Sequence, residues 1–226
     1  MSGNRKLSRK FKKAQGDKDL ELLLSSSSSY KVCGIVEYDG FIKKSVDPEG
    51  MSLIRELPIE DDEKNMLLKS IKELPFLDHG LANQEVESST EIGIETDIPN
   101  LNSEIIGNFK SHKVSKYIYE GVRAKEITGE IKKKIKDIVL RVKEEDGKSY
   151  RKKFKGLFYF EHLYYAEKVS IVFENATDVD VKATVKKMSF SPKVSLSSDK
   201  KTLLSFPSSD SCPFAAKVSS IKDLID

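Results

Sequence analysis

The sequence predicts an α+β fold: a twisted, mainly antiparallel sheet with flanking helices. Three observations predict it. Residues 156–190 hold two period-two runs, residues 85–122 hold a second and poorer pair, and helical periodicity appears before and between them. In the 156–190 segment Val169, Ile171 and Phe173 point one way, with Ser170 and Glu174 on the other face. Val179, Val181, Ala183 and Val185 then alternate with Asp180, Lys182, Thr184 and Lys186, and Asn175-Ala-Thr-Asp178 between the runs is rich in turn formers. Each run therefore has an apolar and a polar face. A strand that crosses a bilayer needs about 9–11 residues of this pattern, and both runs approach that length. Two readings stay open: an amphipathic hairpin lying on a soluble core, or one that can leave it.

Taken in order, residues 1–16 carry Arg5, Lys6, Arg9, Lys10, Lys12 and Lys13 with no acid among them, while Leu7, Phe11 and Ala14 recur at helical spacing. This is a short basic amphipathic helix suited to an anionic membrane or to nucleic acid, or else a solvated tail. Each cation near an anionic leaflet contributes about 1 kcal/mol, so six of them give weak, reversible attachment. Leu20–Leu24 is a short apolar segment, Ser25–Ser29 a flexible link, and residues 30–38 (YKVCGIVEY) a strand. Phe41 and Ile42 beside Lys43 and Lys44 suit a membrane-touching loop, or equally the start of the next strand.

Ser52 is an N-cap candidate for the helix SLIREL. Residues 59–74 form a second helix, with an acidic first turn and a buried stripe of Leu67, Ile71 and Leu74. In 85–122 Ile92, Ile94, Thr96 and Ile98 share one face, Pro99–Asn102 turns the chain, and Val114, Ile118 and Val122 lie on the return. Residues 126–136 fit a strand or a helix, and Asp137 can cap a helix that ends at Gly147. Arg151-Lys-Lys-Phe-Lys155 is a third basic cluster, followed by an aromatic strand, and residues 200–207 are a strand before the final run FAAKVSSIKDLI.

Length and composition fit a single domain over residues 1–226, with 38% apolar and 33% charged residues and a net charge of +3. Two cysteines build no disulfide framework or metal site, and the leader has no apolar segment of secretory type, so a reducing cytoplasm is expected. Asn175-Ala-Thr177 fits a glycosylation pattern that stays idle there. Catalysis finds no motif: His79, His112 and His162 have no metal or triad spacing, and no phosphate loop is present. The chain is expected not to be an enzyme and to need no cofactor. Cys33, between Val32 and Ile35, reads as a buried small hydrophobe, and Cys212 as exposed in a polar turn. Both are candidates for redox or lipid modification, Cys212 the better placed.

The tail DKKTLLSFPSSDSCPFAAKVSSIKDLID resembles the segment closing the N-terminal, pore-forming domain of gasdermins, with Lys200-Lys201, Phe206-Pro207, Phe214-Ala215 and Val218 matching in order. The basic helix, YKVCGIVEY, the aromatic-plus-basic loop and SLIREL are similar to the start of that domain; EIGIETDIP, KEITGEI and the long hairpin match its middle, with residues 59–74 as an insertion. The resemblance implies a gasdermin-N-like fold and a cytoplasmic protein that binds acidic phospholipid of the inner leaflet of the plasma membrane. It also implies refolding of two strand pairs (85–122 and 156–190) into membrane-spanning hairpins, and assembly of copies into a lytic β-barrel. On this match Arg5, Lys6, Arg9, Lys10, Lys12, Lys13, Lys43 and Lys44 are head-group ligands, and Phe41 and Ile42 a membrane anchor. Val169, Ile171, Phe173, Val179, Val181, Ala183 and Val185 face the lipid.

Most animal members carry a C-terminal repressor domain; the sequence instead resembles short members that need another restraint. Dimerisation, with Cys212 as a redox latch, or a partner chain is the expectation, and non-reducing gel mobility reads the first directly. Four strands per chain cannot close a water-filled barrel, and unpaired edges cannot remain in lipid, so an inserted form is a ring of many copies. A basic nucleic-acid-binding protein and a non-lytic scaffold or inhibitor are the competing functions; no nucleic acid is expected as a partner on the pore reading.

Overall fold

The structure is a computed structural model that describes residues 11–13, 19–23, 30–39, 42–45, 52–78, 84–87, 114–173, 178–185, 193–196, 201–207 and 213–225. The fold is α+β, as expected, with antiparallel pairing in two sheets. The strands are β1 (Leu20–Leu22), β2 (Ile35–Tyr38), β3 (Ile42–Ser45), β4 (Leu77–Asp78), β5 (Gln84–Glu87), β6 (Val114–Glu120), β7 (Arg123–Glu126), β8 (Phe158–Tyr165), β9 (Lys168–Phe173), β10 (Lys193–Leu196), β11 (Thr202–Pro207) and β12 (Ala215–Ser220). The helices are α1 (Ser52–Glu56), α2 (Asp61–Lys72), α3 (Gly129–Glu145), α4 (Gly147–Lys153), α5 (Asp178–Val185) and α6 (Ile221–Ile225).

Two chain segments run through both sheets side by side. β6 pairs with β9 from Val114↔Phe173 to Glu120↔Lys168, and β7 pairs with β8 from Arg123↔Tyr165 to Glu126↔His162. Residues 114–126 and 162–173 are thus one long bent ribbon, half in each sheet. It bends at Gly121 and Glu167, where the Glu167 N–H donates to the carbonyls of Glu120 (3.0 Å) and Gly121 (3.3 Å). Gly121 has φ +63°, and a Cβ there would stand 2.7 Å from Glu167 Oε2. The first sheet runs β1-β12-β8-β2-β3, with β7 on the same flank of β8 as β2 and β4 on β7; the second runs β10-β11-β9-β6-β5.

Two cores follow. One packs β2, β8 and β12 against Leu53 and Ile54 of α1, Leu67 and Ile71 of α2, Ile131, Ile135 and Val139 of α3, and Ile221 of α6. The Leu67, Ile71 and Leu74 stripe is buried as expected. The other packs Tyr117, Tyr119, Val169, Ile171 and Phe173 against Phe11, Leu20, Val181 and Phe214. Phe214 joins the two sheets: it leads into β12 yet stacks on Tyr119 of β6 at 4.1 Å and 9°.

Several local expectations change. Residues 30–34 are not strand; only Ile35–Tyr38 is, because the chain turns at Cys33 with φ +64°. Ser52 is the first residue of α1, and its Oγ accepts from the Ile35 N–H at 3.1 Å. α3 begins at Gly129 rather than 137, with Thr128 Oγ1 accepting from the Ile131 N–H at 3.3 Å. In the 85–122 segment β5 and β6 do pair, Gln84↔Tyr119 to Glu87↔Lys116. Ile92, Ile94, Thr96 and Ile98 lie outside the described residues. The expected hairpin over 156–190 does not form: β9 pairs with β6 and β11, and residues 178–185 are helical.

Gly121→Ala forces a side chain into left-handed backbone and should lower stability by about 1–2 kcal/mol. Gly129→Ala at the open start of α3, where no atom lies within 4 Å of an added Cβ, should instead be neutral or stabilising by up to about 1 kcal/mol. Urea unfolding of the two variants checks the opposite signs.

Candidate functional site

The leading basic segment is drawn into the fold where it is described. Residues 11–13 form a helical turn in which Phe11 is 1% exposed and meets Phe214 edge-on at 6.4 Å. Lys12 turns inward. Its Nζ ion-pairs with Glu21, lies 3.2 Å from the Tyr38 hydroxyl oxygen and stands 5.6 Å from that ring's centroid. Glu21 is buried in β1, and the Tyr38 hydroxyl donates to its Oε1 at 2.7 Å. Burial, then the bond to Glu21, pushes the Tyr38 hydroxyl well above its ordinary range. Lys13 is exposed, as a head-group ligand must be. Lys12 as found is not, because a buried carboxylate in a leucine strand must hold a cation. Arg5, Lys6, Arg9, Lys10, Phe41 and Cys212 lie outside the described residues. Ile42, Lys43 and Lys44 belong to β3, so this stretch is a strand and not a loop tip; Ile42 is half-buried, and the two lysine side chains lie outside the description.

The residues expected to face lipid divide by element. Val169, Ile171 and Phe173 share one face of β9 and are buried in the second core. The expected polar face is buried too: Val172 is 1% exposed, and Ser170 Oγ donates to Glu120 Oε2 at 2.8 Å and lies 2.7 Å from Ser205 Oγ. β9 is thus a central strand, covered on both faces, and not half of an amphipathic hairpin. In α5 Val181 is buried, Val185 half-buried and Ala183 exposed, while the Val179 side chain lies outside the description. Helical period separates what strand period would align.

Cys33 is fully buried and burial alone pushes its thiol well up, so it stays protonated. It is a packing residue, and its candidacy for redox or lipid modification is withdrawn. His162 lies between two carboxylates within the sheet: Nδ1 is 3.2 Å from Glu126 Oε2 and Nε2 is 3.6 Å from Glu161 Oε1. Glu161, buried in β8, also contacts Lys132 of α3 and accepts from the Ser219 hydroxyl of β12. The His162 bond foremost, then Lys132 and Ser219, hold its carboxyl well below the usual range against the opposing effect of burial. These groups tie α3 and β12 to β8.

Exposed cations gather on and beside α4: Lys148, Arg151, Lys152, Lys153 and Lys155, with Phe154 fully buried beneath as their anchor. Asp146 starts this helix, its Oδ1 accepting from the N–H groups of Lys148 and Ser149, both at 3.1 Å. Among the described residues, no helix is long and apolar enough to cross a membrane, and no group of three or more His, Cys, Asp or Glu is placed to hold a metal. No protein-family model and no curated protein matches the sequence. Glu21 and Tyr38 did not stand out in the sequence, though a lone acid inside Leu20-Glu-Leu-Leu-Leu is a readable signal for a buried partner.

Because the Glu161 pKa is depressed on folding, its contribution is present above the ordinary carboxyl value of 4.5 and lost as pH falls below it. Glu161→Gln should cost about 1–3 kcal/mol at pH 7 and make the decline of stability below pH 4.5 shallower, measured by urea unfolding from pH 7 to pH 3. Native protein treated with a maleimide should yield no modified Cys33 peptide, whereas the unfolded chain labels there fully; mass spectrometry of digests checks it.

Proposed function

We propose that this chain is a gasdermin-type pore former. On this reading it rests in the cytoplasm, binds acidic phospholipid of the inner leaflet, assembles with copies of itself and inserts β ribbons as a lytic barrel, with no catalytic step. One observation carries the reading: residues 178–185 are patterned as a strand but wound as a helix. Four of the eight residues, Val179, Val181, Thr184 and Val185, are β-branched and so poor helix formers. As a helix the segment buries Val181 and leaves Ala183 in solvent. As a strand Val179, Val181, Ala183 and Val185 would make one apolar face. A segment whose local preference opposes its fold is poised for a second conformation.

Charge supports the same reading. Lys13, Lys148, Arg151, Lys152, Lys153 and Lys155 are exposed, and each contributes about 1 kcal/mol beside an anionic leaflet. Backbone hydrogen bonding then requires the inserted strands to close into a ring. A nucleic-acid binder or a non-lytic scaffold, by contrast, releases no dye from sealed vesicles.

Ala183 separates the two conformations. Ala183→Lys changes a solvent-facing position of α5, so the thermal midpoint should stay within about 2 °C. In the inserted strand it sets a charge on the lipid face, at about 2–4 kcal/mol per copy near the bilayer centre. Dye release from vesicles containing phosphatidylserine should fall at least about tenfold while binding to them persists. Undiminished release by the folded variant removes the strand conformation, and with it this reading.

A further inference from the structure

We infer that residues 11–13 are held to the fold by a lock of three side chains, Lys12, Glu21 and Tyr38, with Phe11 as its peg, and that opening this lock is what makes Phe11 and Lys12 available to a membrane. The lock joins three separate elements. Phe11 sits in the second core against Phe214, Glu21 is a buried carboxylate on β1, and Tyr38 closes β2. Lys12 contacts both polar partners, and the Tyr38 hydroxyl donates to the same Glu21 oxygen. The consequence for membranes rests on the proposed function; the lock itself does not.

The geometry sets two opposing demands on Lys12. As a head-group ligand it must leave Glu21, and the buried carboxylate would then lose this ion pair. Phe11, the apolar anchor of the amphipathic stripe, must likewise leave the core before it can enter a leaflet. Phe11 and Lys12 are therefore bound either to their own fold or to lipid, never to both. Membrane binding has to compete with this closed state, and the apparent affinity is reduced by the fraction that is open. Lys13, exposed beside the lock, can meet an anionic surface first without breaking it.

Opposite signs test this. Glu21→Gln keeps the side chain's size but removes the charge that holds Lys12, and Tyr38→Phe removes only the hydroxyl. Trypsin digestion of the full chain without lipid reads the lock: cleavage at the Lys12–Lys13 bond should accelerate at least about tenfold in Glu21→Gln and several-fold in Tyr38→Phe, with circular dichroism confirming the fold. Unchanged cleavage in both folded variants overturns the lock. On vesicles with phosphatidylserine, Lys12→Met should bind and release dye at least as fast as the unaltered protein, since freeing the segment outweighs one lost charge. Slower binding by Lys12→Met makes Lys12 a head-group ligand and overturns the proposal. Faster proteolysis of Glu21→Gln, with no release from any vesicle by any form of the chain, keeps the lock and removes the pore reading instead.

Discussion

Everything in the molecule is arranged around one bend. Residues 114–126 and 162–173 pair as a single antiparallel ribbon that passes from one sheet to the other at Gly121 and Glu167. The bend is held by two backbone bonds from Glu167 and by a glycine whose φ is closed to most side chains. Around it sit Arg123 Nε, 3.5 Å from Glu167 Oε1, and Lys168 Nζ, 2.6 Å from Glu120 Oε2. Because β11 and β12 add to the same ribbon, one in each sheet, the relation of the two cores is fixed by this crossing and by Phe214 alongside it.

The first core is the more heavily covered half. Among the described residues α1, α2, α3, α4 and α6 all contribute side chains to it, and the Glu161, Lys132, Ser219 and His162 cluster ties α3 and β12 to β8 through a carboxylate that stays charged. Such a cluster adds specificity of position more than net stability, since each charge loses hydration on burial. The second core is covered differently. Among the described side chains, it is covered by Phe11, by Leu20 and Leu22 of β1, and by Val181 of α5. Regions with few buried apolar contacts open at lower free energy than the global fold. Phe11 and α5, which the proposed function sends to the membrane, are therefore among the parts that cover the second sheet.

This division gives the cationic clusters different standings. The α4 cations ride on a helix pinned by Phe154 and are presented at all times. Lys12, by contrast, is engaged by a buried carboxylate. On the proposed function, the α4 cations would meet an anionic surface before the second core changes.

By itself the sequence determined the fold class, the strands at 168–173 and 202–207, the buried stripe of α2 and the aromatic β8, because each depends on local periodicity against water. It also marked residues 178–185 as strand-like, which describes their local preference and not their state in this fold. Only the tertiary structure decided which strands pair. Alternation says that a strand has two faces and cannot say that residue 117 meets 171 rather than a nearer neighbour. It likewise decided that Lys12 points inward and that Cys33 turns the chain, since both follow from partners on distant elements: Glu21 and Tyr38 for the lysine, the Phe160 carbonyl at 2.9 Å for the cysteine N–H. Burial of a charge or a strained backbone is paid for by contacts that no local window of sequence contains.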